Sequence, residues 1–325
     1  MSDSGPPRLH VVVAHPDDET FGCGGLLLHA RAVGFDTYVT CATRGEAGED
    51  AHGRAGAELG AVRAAELRVA ADLLGVSGVD LLDFADSGMA GPAEPGTLLG
   101  AEPADVVAAI ATSLRRTNPD VVITLDASDG HRDHEQIREL TLQAAAEAGV
   151  EVVYLSCLPQ SLMQRWIDRM REAAPDKQHL TEEIPLLGTP DAEISTMVDV
   201  REHRAQLDVA MAAHASQDSP YDALPDDLRD ALLGTARARR VVPTWDGETH
   251  EHTLPLALDR KGCRAMTPSQ APDLLTTALP PVNGLVRAEL RRHVHGRRCW
   301  WNHLEARWMC SGAHADAHNP ERERP

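Results

Sequence analysis

Asp120-Val121-Val122-Ile123-Thr124-Leu125-Asp126 reads as one strand of a parallel sheet, a nearly continuous apolar run closed by an aspartate on each side. A strand covered by helices on both faces has no wet side to show, so it lacks the alternation of a half-exposed strand. Upstream, the spacing of Val106, Ile110 and Leu114 supplies one covering helix, opened by Pro103 and stopped before Pro119. Downstream, Ile137, Leu140 and Ala144 supply another that ends near Gly149, and Val152 to Leu155 returns as a strand. The same alternation runs back to the start of the chain. Leu9 to Ala14, Thr37 to Thr43 and Asp80 to Phe84 read as strands. A helix from Gly22 to Val33 lies between the first two, and one with Leu59, Val62, Glu66, Val69 and Leu73 on a single face lies between the last two, closed by Gly75. Strand and helix in strict turn predict an α/β fold, a Rossmann-like, doubly wound, mostly parallel sheet with helices on both faces.

After Asp199 the pattern turns helical, from Arg201 to Ala213 and again from Asp226 to Leu233. Beyond about Pro243 the character changes. Four of the five tryptophans and seven of the sixteen histidines fall there without clear periodicity. We therefore expect one domain over residues 8–245 and a poorly ordered appendage over 246–325.

Apolar residues at 42% and charged residues at 25% describe a folded enzyme rather than a disordered chain. A formal net charge of −19 disfavours nucleic acid and anionic membrane as partners, since both reward Lys and Arg. By the same token, a basic residue placed in a pocket is expected to have a specific job. Met1 to Pro7 is polar and Val11-Val12-Val13-Ala14 is too short for a leader or a span. The six cysteines form no CxxC pair and are expected as free thiols in a cytoplasmic protein. Homo-oligomerisation is left open.

Two polar clusters begin where strands end: Ala14-His15-Pro16-Asp17-Asp18-Glu19 and Asp129-Gly130-His131-Arg132-Asp133-His134. Open parallel sheets bind ligands at the carboxyl ends of their strands, so the two clusters can converge on one crevice. A catalytic zinc takes three N or O ligands and leaves one position open. His15, Asp18 and His134 supply such a set. Asp17 is left beside the metal as a general base, and His131 is placed to hold an oxyanion as a protonated imidazole or to protonate a leaving amine. Asp133 is expected to orient His131. Which of Asp17 and His131 protonates the amine stays open. Gly22-Cys23-Gly24-Gly25 lacks the third glycine and the following acid of a dinucleotide site, so close packing of helix on sheet is the better account. Arg44 and Glu46, in the glycine-rich loop from Arg44 to Gly56, and Asp86, past the third strand, are candidates for binding substrate hydroxyls.

These blocks resemble the signature motifs of the GlcNAc-phosphatidylinositol de-N-acetylase (PIG-L, or LmbE-like) family. Thr43-Arg44-Gly45-Glu46-Ala47-Gly48, Arg63-Ala64-Ala65-Glu66-Leu67, Asp86-Ser87-Gly88-Met89 and His214-Ala215-Ser216-Gln217 extend the resemblance over roughly residues 8 to 245. It implies a zinc-dependent hydrolase that removes the N-acetyl group of a GlcNAc-type amino sugar. The implied metal ligands fall on His15, Asp18 and His134, the base on Asp17, the assisting histidine on His131 and a substrate contact on Arg63. Asp86-Ser87-Gly88-Met89 looks most like the bacterial mycothiol-pathway deacetylases and amidases. Those tend to carry tyrosine where this chain has Asp129, and proline where it has Arg132. The rival readings are an amidase of a thiol conjugate, a deacylase of an antibiotic sugar, and a non-catalytic sugar-binding domain.

Overall fold

The computed structural model describes residues 5–48, 50, 52–89, 91–173, 187–222 and 224–255, with the backbone of 299–302 and 307–310. Seven strands form one sheet: β1 (Arg8–Val13), β2 (Asp36–Cys41), β3 (Gly78–Leu81), β4 (Val121–Leu125), β5 (Val153–Ser156), β6 (Thr196–Asp199) and β7 (Thr235–Val242). Their order is β3-β2-β1-β4-β5-β7-β6. The first five are parallel, with Leu9 opposite Thr37 on one side and Val121 on the other, and β7 runs antiparallel to both β5 and β6. Strand order reverses between β1 and β4. Such a topological switch point opens a crevice at the carboxyl ends of those two strands.

The helices are α1 (Asp18–Phe21), α2 (Gly24–Ala32), α3 (Gly56–Leu74), α4 (Pro103–Thr117), α5 (Arg132–Ala148), α6 (Gln160–Ala173), α7 (Arg204–Met211) and α8 (Asp226–Leu233). Two cores lie on opposite faces of the sheet, as successive residues of β1 show. Val11 and Val13 pack with Leu26, Leu67 and Leu207, while Val12 packs with Val106, Ile110 and Ile137. The doubly wound, mostly parallel architecture expected from the sequence is the one observed.

Several elements differ from their expected form. The helix expected from Gly22 to Val33 is α2, Gly24–Ala32, and a short helix that was not expected, α1, precedes it over Asp18–Phe21. A Cβ at Gly24 would come within 2.6 Å of Leu207 on α7, and the helix-on-sheet packing read from the glycines falls at Gly25, where a Cβ would lie 3.2 Å from Ala236 on β7. On α3 the buried stripe is Leu59, Arg63, Leu67, Ala70 and Leu74, whereas Val69, expected inside, is 50% exposed. Small residues and an arginine carry that stripe, and hydropathy reads such a face out of phase. Strands β6 and β7 and helix α6 were not expected. The β7 run Thr-Ala-Arg-Ala-Arg-Arg-Val-Val carries arginine along a half-covered strand near the sheet edge, which hides its strand character.

The expected boundary at residue 245 falls inside a packed segment. The Glu251 backbone bonds to Ser195 and Met197, and its carboxylate accepts from the Tyr154 hydroxyl at 2.8 Å, from Thr196 and from Arg240. Leu254 is fully buried. Of the expected appendage, residues 256–298 and 311–325 lie outside the described residues. Cys299–Asn302 and Arg307–Cys310 pair as a two-stranded antiparallel sheet. A chain ending at residue 255 is expected to match the full chain in soluble yield and thermal unfolding. One ending at 245 takes the Glu251 acceptor from the buried Tyr154 hydroxyl, at a cost of about 1–3 kcal/mol, and leaves the Thr196 hydroxyl with Ser195 Oγ alone. Equal unfolding midpoints for the two truncations would show that the segment adds nothing. No helix among the described residues is long and apolar enough to cross a membrane. Cys23, Cys41 and Cys157 are buried free thiols.

Candidate active site

Both polar clusters reach the switch point. At the end of β1 the chain turns so tightly that its own carboxylates satisfy it: His15 N donates to Asp18 Oδ2 at 2.8 Å and Asp17 N to Glu19 Oε2 at 2.9 Å. Asp17 sits at φ 114°, a conformation L-residues rarely adopt. Strain of this kind is about 1–3 kcal/mol and persists where the surroundings over-determine the residue. Those surroundings are Glu19, itself held by the buried His214 at 2.9 Å, and Arg63. Burial opposes a charge on His214, yet Glu19 raises its pKa. Arg63 reaches up from α3 and donates to Asp17 Oδ2 at 3.0 Å, to the Pro16 carbonyl at 2.7 Å and to the Gly45 carbonyl at 2.8 Å. A Cβ at Gly45 would lie 2.5 Å from that guanidinium, which explains the glycine in the loop after β2.

At the end of β4, Asp129 closes the loop that leads into α5. Its Oδ1 accepts from His131 N at 3.0 Å and its Oδ2 from His134 Nδ1 at 2.7 Å. His131 caps α5, its Nδ1 accepting from Asp133 N at 3.2 Å. That bond leaves the ring proton on Nε2. Burial, with His15 and His134 adding, lowers the His131 pKa to about 3. Both features favour a neutral imidazole that donates through Nε2, where the sequence suggests a protonated one. Asp133 differs from its expected role as well. Its carboxylate does not orient His131; Oδ2 lies 3.2 Å from His15 Nε2 and accepts from Ser87 N at 3.0 Å. The helical turn that makes His131 the cap points the neighbouring carboxylate back toward β1.

His15, His131 and His134 present ring nitrogens within 4.8 Å of one another. Asp18 bridges the outer two, with Oδ2 3.4 Å from His15 Nδ1 and Oδ1 3.2 Å from His134 Nε2. Burial opposes a charge on His15 and His134, yet carboxylates overcome it. Asp86, Asp133 and Asp18 raise His15 well above its usual value, and Asp129 and Asp18 raise His134 to about 10. Burial likewise works against the Asp18 carboxylate, but His134 and His15 hold it well below the usual range. Such a nest of imidazole and carboxylate demands positive charge, as protons or as a cation. His134 Nε2 fits a cation, because it is buried and, with Asp18 Oδ1 3.2 Å away, makes no well-aligned hydrogen bond. An orphaned ring nitrogen whose Nδ1 is fixed by a carboxylate is the arrangement of a metal-ligating histidine. His15, Asp86 and Asp133 form a second close group. There Asp133 is fully buried, with Oδ2 taken by Ser87 N and Oδ1 without a hydrogen bond, and it is not among the residues that line the cavity.

A cavity of about 450 Å³ opens on this centre. His15, Asp17, Asp18, Asp86, His131 and His134 line its polar end, with Arg63 beside them. Asp86 accepts from Gly88 N and lies 3.5 Å from His15 Nε2. Arg44 and Glu46 are not among the lining residues. Arg44 instead meets the exposed Asp83 at 2.9 Å. Glu66, three residues after Arg63 on α3, does not pair with it and accepts from Ser216 N and Oγ.

Residues 10–145 match the family model described as GlcNAc-PI de-N-acetylase. The chain is 32% identical over 270 residues to a 1D-myo-inositol 2-acetamido-2-deoxy-alpha-D-glucopyranoside deacetylase of Geodermatophilus obscurus, covering 72% of this chain and 92% of the relative. It is 35% identical over 238 residues to the enzyme of the same description from Rhodococcus opacus, covering 65% and 81%. The chain belongs to the GlcNAc-PI de-N-acetylase family. Two solved structures share the fold with a TM-score of 0.51: N,N'-diacetylchitobiose deacetylase from Pyrococcus horikoshii, 18% identical over 73% of this chain and 84% of that one, and A40926 pseudoaglycone deacetylase, 21% identical over 74% and 99%.

Three residues of this family member escaped the sequence reading. Asp129 stands in for a tyrosine and was noted only as a departure. Glu19 and His214 were quoted within motif blocks and given no role. The motif order was the available signal for Glu19 and His214. Nothing in sequence pairs residues nearly two hundred positions apart.

Proposed function

We propose that the protein is a zinc-dependent hydrolase that removes the acetyl group from an N-acetylglucosamine-type amino sugar, of the kind its relatives carry on inositol. The observation that supports this best is the buried, unbonded His134 Nε2 facing Asp18, with Asp17 beside them at the mouth of one cavity. His15, Asp18 and His134 would hold the metal, and His131, Asp17 and Asp86 stand around it. The chemistry that zinc supplies when bound is Lewis acidity, polarising the acetyl carbonyl and lowering the pKa of a water to about 7.

The remaining work falls to the chain's own side chains. Asp17 takes a proton as the water's oxygen bonds to the acetyl carbon. Arg63 fixes the orientation of that carboxylate. His131 Nε2–H donates to the oxyanion as it develops, needing no titration to do so. When the C–N bond breaks, Asp17 returns its proton to the amine nitrogen, since the one N–H of neutral His131 is spent on the oxyanion. Water and amide thus become acetate and free amine. Asp86, fixed by Gly88 and facing the cavity, is placed for a sugar hydroxyl. The buried free thiols and the acidic charge support a cytoplasmic enzyme acting on a small molecule.

The direct test is acetate release from N-acetylglucosaminyl-inositol at defined zinc loading. Release proportional to bound zinc is expected. No release from stoichiometrically loaded protein, on this or other N-acetylglucosaminides, would overturn the reading.

A further inference from the structure

The cavity continues beyond the histidines, past the carboxyl end of β5, to a wall that includes Met163, Trp166 and Leu232. Arg237 lines this distal end and is half-buried. Its Nη1 donates to the carbonyls of Ala231 at 3.0 Å and Thr235 at 2.9 Å, capping the end of α8. The other guanidinium nitrogens make no hydrogen bond among the described residues, and no carboxylate there lies within ion-pair distance. Burial pulls its pKa down, with Asp191 only a distant counterweight.

This isolation stands out in a chain of net charge −19. Three other arginines near the sheet's carboxyl edge are matched by carboxylates, Arg63 by Asp17, Arg239 by Asp126 and Glu193, Arg240 by Glu251, while Arg132 meets only the Gly91 carbonyl and does not line the cavity. Asp126, which also lines the cavity, is already held by Arg239 and Thr189. A guanidinium that keeps free donors inside a cavity is a ready partner for a planar or tetrahedral oxyanion.

Its distance from the catalytic end follows from the register. Ala238 pairs with Ser156, the last residue of β5, so Arg237 sits just past the sheet's carboxyl edge. The β7 strand is second from β4, whose end carries His131 and His134. At about 4.8 Å per strand, Arg237 lies roughly 10 Å across the sheet from that end. This is too far for a substituent of the acetylated sugar itself, and it suits the far side of whatever the sugar is attached to.

We infer that Arg237 anchors an aglycone subsite, and that the substrate is an N-acetyl amino sugar whose aglycone bears an oxyanion, a carboxylate or a phosphate. The inference rests on the deacetylase reading and narrows its substrate class. The apolar wall excludes water around the pair, which strengthens it.

The test compares binding of p-carboxyphenyl, p-phosphophenyl and p-carbamoylphenyl N-acetyl-α-D-glucosaminides to the zinc-loaded full chain by calorimetry. The carbamoyl probe has the shape of the carboxylate without its charge. At least one anionic probe is expected to bind about 10-fold or more tighter than the carbamoyl one, as hydrogen bonds to charged groups do. The two anionic arms separate carboxylate from phosphate. In Arg237→Met that ratio should fall to about one, and Arg237→Lys should keep part of it. Should Arg237→Met not fold, for want of its helix cap, Arg237→Gln keeps a donor for Ala231 and reads the same loss of charge. Equal wild-type affinities for all three probes, or an anion preference that survives the loss of charge at 237, would overturn the subsite. Acetate release from the carbamoyl glycoside is measured alongside. Its absence, with the anion preference intact, overturns the deacetylase reading and leaves the subsite standing.

Discussion

Asp17→Asn is expected to keep its zinc and lose kcat by the roughly 10²–10⁴-fold typical of a general acid–base group. The carboxylate is not needed to hold a metal, since its Oδ2 is taken by Arg63 at 3.0 Å. The amide can still accept from that guanidinium, and asparagine tolerates positive φ better than most residues, so the turn should survive. What disappears is proton affinity. Burial raises the Asp17 pKa to about 6 against the pull of Arg63, with Asp18 adding to the rise. A base works in its ionised form, so wild-type activity should fall as pH drops through that value. A cation held at Asp18 favours the ionised form, which moves the limb to somewhat below 6. The variant should lose this acidic limb along with its rate. His131, already neutral, should contribute no basic limb. Metal content, circular dichroism and a pH–rate profile on the same preparation check the whole prediction. Near-normal kcat would mean that Asp17 is only charge at the start of α1, and that the base lies elsewhere.

The sheet was legible because its central strands obey one rule. Val121 to Leu125 is buried on both faces, and its sequence shows nothing else. Helix ends were legible where glycine or proline marks them, at Gly75, Gly149 and Pro103. The half of the sheet that runs antiparallel was not. There, Arg237 and Arg239 occupy strand positions for reasons of charge and cavity rather than packing. The face of α3 was misread because Arg63 belongs inside, and only Asp17 and two carbonyls make that tolerable. Within the site, the sequence brought the right residues to the right crevice, since strand ends dictate location. It could not assign contacts. Asp133 was given to His131 by proximity along the chain, yet at a helix start the side chains of adjacent residues diverge.

His134→Ala should abolish stoichiometric zinc binding and with it activity, the largest effect expected of any single change at this site. The argument runs through both ring nitrogens. Asp129 accepts the Nδ1 proton at 2.7 Å, so the buried Nε2, which faces Asp18 Oδ1 at 3.2 Å, is the nitrogen that gives up its proton to a metal. Removing the imidazole also leaves Asp18 facing His15 alone, where burial disfavours its charge. Asp129→Asn provides the graded comparison. It should keep His134 in place while weakening its basicity, lowering zinc affinity by the 10–100-fold typical of an outer partner of a metal ligand. Both effects carry a pH signature. Without metal, Asp129 and Asp18 overcome burial to raise His134 to about 10, so zinc must displace protons in order to bind. Affinity in the wild type should therefore rise with pH across the neutral range. In Asp129→Asn the proton is held less tightly, and the slope should flatten as the affinity drops. Chelator competition at several pH values measures all of this without reference to turnover. Zinc bound stoichiometrically and tightly by His134→Ala would remove His134 from the ligand set and leave His15, Asp86 and Asp133 as the group to examine.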